Sequence, residues 1–400
     1  MSGALAGMVV VDTTTQFWAS LGVALLADFG AQVIRVEMVP EARGRRAALD
    51  GDPPAAWDYR YELANRNKLS LAVNAETPAG CEVLQALVRQ ADVLVTDRPG
   101  EFLREKGLDY PSAVTLRGDI VYARVCGFGP EGPDQGLQAL DELAAARTGM
   151  MAILPQPGQP PVYTGAGQMY TAVFLAFGVA AALNHRQQTG EGQEVDVSLF
   201  AGNIYGASLD VQAYLAIQGE RFLSPISRLD AGNPMSGTMY PTKDGRWVTL
   251  TMPDTDRYWP AFAEVVGLDP KDPRFDSHEK RCEVNRLELM RLLEGAFPKQ
   301  PAAHWRNVFA QRGLSADVIE DYSYPANDPQ ALRSGYIQQL EHPSLGAVKT
   351  IGFPVFMSET PPRLRRTAPC LGQHTAEVLH DLLGYAEERI EELAAEGVVA

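Results

Sequence analysis

The 400-residue chain carries 35 Lys+Arg against 50 Asp+Glu, a formal net charge of −15, and 46% of its residues are hydrophobic. That length calls for two domains, or one large domain with an insertion, around a sizeable core. The acidic balance argues against nucleic acid or an anionic membrane as partner, although a small phosphorylated ligand needs only a local cluster of cations. In chain order, Met8–Asp12 is an apolar run suited to a strand buried on both faces. Ser20–Phe29 has helical spacing and stops at Gly30, and Gln32–Glu37 reads as a second strand. A helix opened by Thr77-Pro78 and closing at Gln90 is followed by strands at Asp92–Thr96 and Ile120–Val125, the pattern of a doubly wound α/β domain.

Met169–Asn184 is free of charge and, at 16 residues, short for a membrane span; it is expected as a buried core helix. Gly192–Phe200 alternates like a strand. Met239–Leu250 reads as a hairpin with Asp244-Gly245 at its turn, and polar helices such as Arg286–Phe297 follow. A smaller α+β domain is expected there. The chain ends in a charged helix at Ala386–Glu396, and this C-terminal section is expected to pack back onto the first domain.

Generic chemical motifs are weak. Gly127-Phe128-Gly129-Pro130-Glu131-Gly132 matches GxGxxG, but Pro130 and Pro133 make it a loop rather than the start of a helix that holds pyrophosphate. The turn after the first strand, Thr13-Thr14-Thr15-Gln16, has no glycine. The six histidines show no ligand spacing, and Cys81, Cys126, Cys282 and Cys370 lie far apart without a CxxC pair, so no metal site and no disulfide framework are expected. Met1–Met8 lacks the start of a signal peptide, so the expectation is a reduced, cytoplasmic protein that meets neither membrane nor nucleic acid.

Longer strings carry more. Leu25-Leu26-Ala27-Asp28-Phe29-Gly30-Ala31-Gln32-Val33-Ile34-Arg35-Val36-Glu37, Asn65-Arg66-Asn67-Lys68-Leu69-Ser70, Arg98-Pro99-Gly100, Thr189-Gly190-Glu191-Gly192-Gln193-Glu194-Val195-Asp196-Val197-Ser198-Leu199 and Ala368-Pro369-Cys370-Leu371-Gly372-Gln373-His374-Thr375 occur in order across nearly the whole chain. Together they resemble the family III CoA-transferases, the CaiB/BaiF family that includes formyl-CoA transferase. The resemblance implies an α/β fold: a Rossmann-like large domain from both chain ends, a smaller inserted α+β domain and an interlocked dimer; the change of texture along the chain puts the bounds at 1–222, 223–325 and 326–400. It also implies covalent catalysis in which an aspartate attacks an acyl-CoA thioester, releasing CoA thiolate from a mixed anhydride. CoA returns to form an aspartyl thioester, and the incoming carboxylate completes the exchange. Acyl-CoA and a carboxylic acid are then substrates, with no covalently bound cofactor.

Counted back from Thr189-Gly190, the family's aspartate falls at Gln168, and no Asp or Glu occurs from Leu154 to His185. An amide forms no anhydride. Glu76 and Met38 stand where the resemblance implies cations for CoA phosphate, and Trp18 falls where it implies a small residue. Lys68, Arg98 and Arg104 remain as candidate CoA contacts, with solvated surface cations as the alternative. Asp141 matches the acidic residue of the family's Tyr/Phe-Asp segment, as an orienting group or a substitute nucleophile, while Leu140 takes the place of the racemases' histidine base. The sequence therefore reads as a family III CoA-transferase subunit with a degenerate site: the non-catalytic half of a heterodimer of the succinyl-CoA:benzylsuccinate type, paired with a homologue that keeps the aspartate. The alternatives are an active homodimer with a substitute nucleophile and a non-enzymatic acyl-CoA binding protein.

Overall fold

The computed structural model describes residues 3–39, 58–137, 140–219, 223–343 and 345–400. Contacts between Cα atoms divide the chain into two compact units, one formed by Met1–Met151, Tyr163–Gln212 and Arg333–Ala400, the other by Ala152–Val162 and Ala213–Leu332. These cuts differ from the boundaries expected from composition at 222 and 325, because texture along the chain does not record which segments touch. Residue 222 itself lies outside the described residues.

The first unit is built on β1 (Val9–Asp12), α1 (Phe17–Asp28), β2 (Gln32–Met38), α2 (Tyr59–Asn65), β3 (Lys68–Val73), α3 (Pro78–Gln90), β4 (Val93–Thr96), α4 (Gly100–Lys106), β5 (Val121–Cys126), α5 (Asp141–Ala145), α6 (Ala166–Thr189), β6 (Glu194–Ser198) and α7 (Leu199–Gly206). Six parallel strands stand in the order β3-β2-β1-β4-β5-β6. The β1–β2 register pairs Val10 with Val33 and Val11 with Ile34. Side chains alternate between the faces: Val11, Ile34, Val36 and Leu94 join one apolar core with Leu84 and Leu87 of α3, whereas Val10, Val33, Val93 and Val95 join another with α1 and α6. Covering both faces explains why the strands read as unbroken apolar runs.

Local signals set several element ends. Thr77 caps α3, its hydroxyl accepting from the Gly80 N–H at 3.0 Å, and Pro78 occupies the first turn. The C-terminal section joins the β3 side of the unit: Leu393, Val398 and Val399 enter the α3-side core, Val399 bridges Val73, and Ala400 N–H donates to Ala72. Helix α6, expected as a buried core helix, is buried on one side only. Leu175, Val179 and Ala182 pack inward, and an added Cβ on Gly22 of α1 would meet the Ala172 carbonyl at 2.7 Å. Tyr170, Val173 and Phe177 face outward, the last 72% exposed. By length and composition alone this helix would also cross a membrane.

The second unit contains an antiparallel sheet of β7 (Ser236–Pro241), β8 (Trp247–Thr251) and β9 (Ala316–Ile319). Its β7–β8 turn closes through Gly245 N–H to Thr242 O, with Gly245 at φ +76°. Tyr240, Phe262, Phe297, Trp305 and Phe309 fill its core.

Candidate functional site

In a doubly wound sheet of this order the connections reverse direction between β1 and β4, and the crevice outside the carboxyl ends of those strands is the place for a ligand. A cleft of about 170 Å³ opens there, with Thr15, Gln16, Trp18, Asp97, Arg98, Arg124, Cys126, Gly127 and Leu137 among its wall residues. In dinucleotide folds the N-terminus of the first helix takes up phosphate at this point. Here a carboxylate of the chain itself is in place: Asp97 accepts from the N–H of Thr15 at 2.8 Å, the N–H of Gln16 at 2.7 Å and the Thr15 hydroxyl at 3.1 Å. Burial pushes the Asp97 carboxyl up, against the pull of those donors. This cap arrives from the β4 side of the sheet, so α1 starts at Phe17, three residues before the start read from local spacing. The Gly127–Gly132 stretch is irregular, as Pro130 and the following Pro133 imply.

Behind the cleft lies a buried charge network. Lys68, expected as a CoA contact, is instead a core residue with no exposed side-chain surface. Its ammonium lies 2.7 Å from Asp12 Oδ2, 2.8 Å from Ser20 O, 2.9 Å from Ser20 Oγ and 3.2 Å from Asn65 Oδ1, so its donors are all directed inward. The sequence left this open because the strand position of Lys68 is fixed by pairing with Val33, not by its neighbours in the chain. Burial lowers the Lys68 pKa to about 8, with Arg35 adding to the shift and Asp12 opposing it. Burial also opposes ionisation of Asp12, but Lys68 and Arg35 outweigh it and hold that carboxyl below its usual range.

Of the other candidate CoA contacts, Arg98 belongs to the cleft wall, where its Nε donates to Thr13 O at 3.0 Å. Arg104 is exposed in the last turn of α4. Glu76 is exposed and lies 3.5 Å from the Lys106 ammonium, while Met38 is a core residue at the end of β2. Trp18 is 4% exposed.

The second cluster surrounds the start of α6. Gly165 precedes the helix at φ +68°, a left-handed conformation that glycine adopts without strain. Gly167 allows close approach of α7, because a Cβ there would lie 2.1 Å from Asn203 Oδ1. Gln168 follows, half-buried, with its Nε2 beside Gly165. Asp141, at the start of α5, is 7% exposed and both its oxygens are engaged: Tyr163 Oη donates to Oδ2 at 2.8 Å and Asn203 Nδ2 to Oδ1 at 2.8 Å. Burial, then the neighbouring Asp141, raise the Tyr163 phenol, which stays a neutral donor. The two regions are linked through the backbone, since Phe200 at the start of α7 donates to Gly127 O in the cleft wall. The structure thus brings Gln168 and Asp141 into one cluster. Tyr163, Asn203 and Asp97 were not read from the sequence, where nothing local marks them. Among the described residues no group of three or more His, Cys, Asp and Glu side chains is placed to hold a metal ion.

A family model described as CoA-transferase family III matches residues 5–375. The chain belongs to CoA-transferase family III. It is 28% identical to the cinnamoyl-CoA:phenyllactate CoA-transferase of Clostridium sporogenes, over 97% of this chain and 95% of that protein. It is 30% identical to the succinyl-CoA–D-citramalate CoA-transferase of Chloroflexus aurantiacus, over 94% of this chain and 93% of that one. The fold matches the crystal structure of a CaiB/BaiF family protein from Brucella suis with a TM-score of 0.80, at 24% identity, covering 96% of this chain and all of the other. CoA-transferases act on CoA thioesters and carboxylates, which places this chain's chemistry in that class.

Proposed function

We propose that this family III CoA-transferase chain is the non-catalytic subunit of a heterodimer that moves CoA from an acyl-CoA such as succinyl-CoA to a carboxylic acid. The observation that carries the reading is Gln168, an amide at the place where the chemistry needs a carboxylate nucleophile. The surroundings of Asp141 support it, because a carboxylate with both oxygens occupied and little exposure is poorly placed to attack a thioester. Asp141 then orients Tyr163 and Asn203. The relatives' acceptors, phenyllactate and D-citramalate in their names, make an organic acid the acceptor class.

The outward face of α6 supports a partner chain. Val173 and Phe177 there, with Tyr205 and Leu209 beyond, are 51%, 72%, 65% and 82% exposed, an apolar surface that a second subunit would bury. An interlocked arrangement would explain why a chain without the nucleophile is retained, since it completes the partner's fold. A reducing, cytoplasmic setting is part of the same proposal, supported by four unpaired cysteines.

The test is transfer from succinyl-CoA to a panel of organic acids, by this chain alone and co-purified with a homologue bearing aspartate at the place of Gln168. Activity confined to the pair is expected. Robust transfer by this chain alone, with a hydroxylamine-sensitive label on Asp141, would replace the proposal with an active homodimer.

A further inference from the structure

The carboxyl end of β5 runs straight into the wall of the cleft between β1 and β4. Phe128 is anchored there. It packs on the core shared with α1 and α6, its ring centroid lies 5.8 Å from that of Phe200, and Gly127 O accepts from Phe200 N–H. The anchoring stops at Gly129, which sits at φ +127°, and Gly136 at φ +80° stands near the far end of the stretch. Glycine takes such angles without strain, so both are places where the chain can swing. Between them the backbone bonds to itself, Gln135 N–H to Gly132 O and Leu137 N–H to Asp134 O, each at 3.1 Å. Among the described residues no backbone hydrogen bond ties 130–137 to the rest of the chain. Yet Gly136 and Leu137 line the cleft. One side chain spans the break: the Arg147 guanidinium lies 4.2 Å from the Phe128 ring centroid and is ion-paired with Asp134. It grips the anchored side of Gly129 and the free side at once. Both charges reach solvent, and exposed pairs are weak, so this hold releases readily.

We infer that residues 129–137 form a lid over this cleft, with Arg147 as the clasp that holds it shut. The closed cleft measures about 170 Å³, below the roughly 300–1,000 Å³ of pockets that take drug-sized ligands. A ligand the size of CoA enters only when Asp134 leaves Arg147 and the stretch swings out about Gly129 and Gly136. Weakly held backbone of this kind is what ligand-gating loops are drawn from. The inference goes beyond the subunit assignment and holds with or without a nucleophile at residue 168. A reporter is already in place. Cys126, the last residue of β5, is in the cleft wall, and burial raises its thiol pKa, with the Gly129 N–H opposing. Opening the lid exposes that thiol to reagents.

The experiment is alkylation of the native 400-residue chain with iodoacetamide, followed by mass spectrometry at each of its four cysteines. The proteins are the wild type, Asp134→Asn and Arg147→Ala, each checked for folding by thermal unfolding. Cys126 reads the lid, and Cys81, Cys282 and Cys370, which are not wall residues, are the controls. Cys126 should react about fivefold faster in Asp134→Asn, the upper end of what one exposed ion pair holds. It should react at least as fast in Arg147→Ala, which also loses the Phe128 contact, while the controls keep their rates. Raising salt from about 0.05 to about 0.5 M screens the pair. That should speed Cys126 in the wild type but not in Asp134→Asn. Equal Cys126 rates in all three proteins overturn the inference. So does a rise shared by the control cysteines, which reads general loosening rather than a lid. If Arg147→Ala unfolds early, Asp134→Asn and the salt dependence decide.

Discussion

The Lys68 ammonium lies 2.7 Å from Asp12 Oδ2, and neither side chain has any exposed surface. Lys68 also reaches Ser20 O and Ser20 Oγ, so it fixes the first turns of α1, and with them Trp18, against the ends of β1 and β3. Removing one partner of such a pair leaves an uncompensated buried charge. Lys68→Met should therefore lower stability by about 3–5 kcal/mol, measured by urea unfolding. A change below about 1 kcal/mol, a value typical of exposed pairs, would show that Lys68 is a surface cation after all.

Asn67 holds the returning chain. It sits at φ +63°, its Oδ1 accepts from Arg365 N–H at 2.6 Å and Arg366 N–H at 3.0 Å, and its Nδ2 donates to Asp28 Oδ1 at 2.7 Å and Arg363 O at 2.8 Å. Asn67→Gly keeps the backbone conformation but removes these bonds, and should cost about 2–3 kcal/mol at roughly 1 kcal/mol per bond less partial rehydration. Asn67→Ala should cost about 1 kcal/mol more, for left-handed backbone strain. Equal stability of the two variants would contradict this account.

His374 makes one contact acid-labile. Its Nδ1 accepts from Ser70 N–H at 3.2 Å, which requires the neutral ring, and its backbone N–H donates to Ser70 O at 3.0 Å. Burial lowers its pKa below 6.5, with Arg366 adding to the shift and Glu377 opposing it. The folded state then binds fewer protons than the unfolded state just below pH 6.5, so this group's contribution is present above that pH and is lost on acidification. Hydrogen exchange at Ser70 should speed up between pH 6.5 and 5 beyond the intrinsic trend. In His374→Ala that pH dependence should vanish.

Gln168→Asp tests the transferase reading directly. With Gly165 and Gly167 keeping the α6 start open, and Tyr163, Asp141 and Asn203 in place, a carboxylate at 168 has the surroundings of a nucleophile. Incubation with succinyl-CoA should produce a hydroxylamine-sensitive adduct at residue 168 that is absent from the wild type. No adduct in a folded variant would mean that the site has lost more than its nucleophile.

Much of the first unit was legible because parallel strands buried on both faces must be apolar throughout, and because caps such as Thr77-Pro78 act within a few residues. The family was legible too, since it follows from residues in sequence register. Tertiary structure alone decided the rest. Lys68 and Arg98 look alike in the sequence as lone cations beside polar neighbours. Only pairing of β3 with β2, and of β2 with β1, sends one into the core and leaves the other in the cleft wall. Asp141 meets Tyr163 across 22 positions and Asn203 across 62, and Asp97 caps a helix that precedes it by about 80. Such partners leave no local trace, because side-chain hydrogen bonds act over about 3 Å in space whatever the distance along the chain.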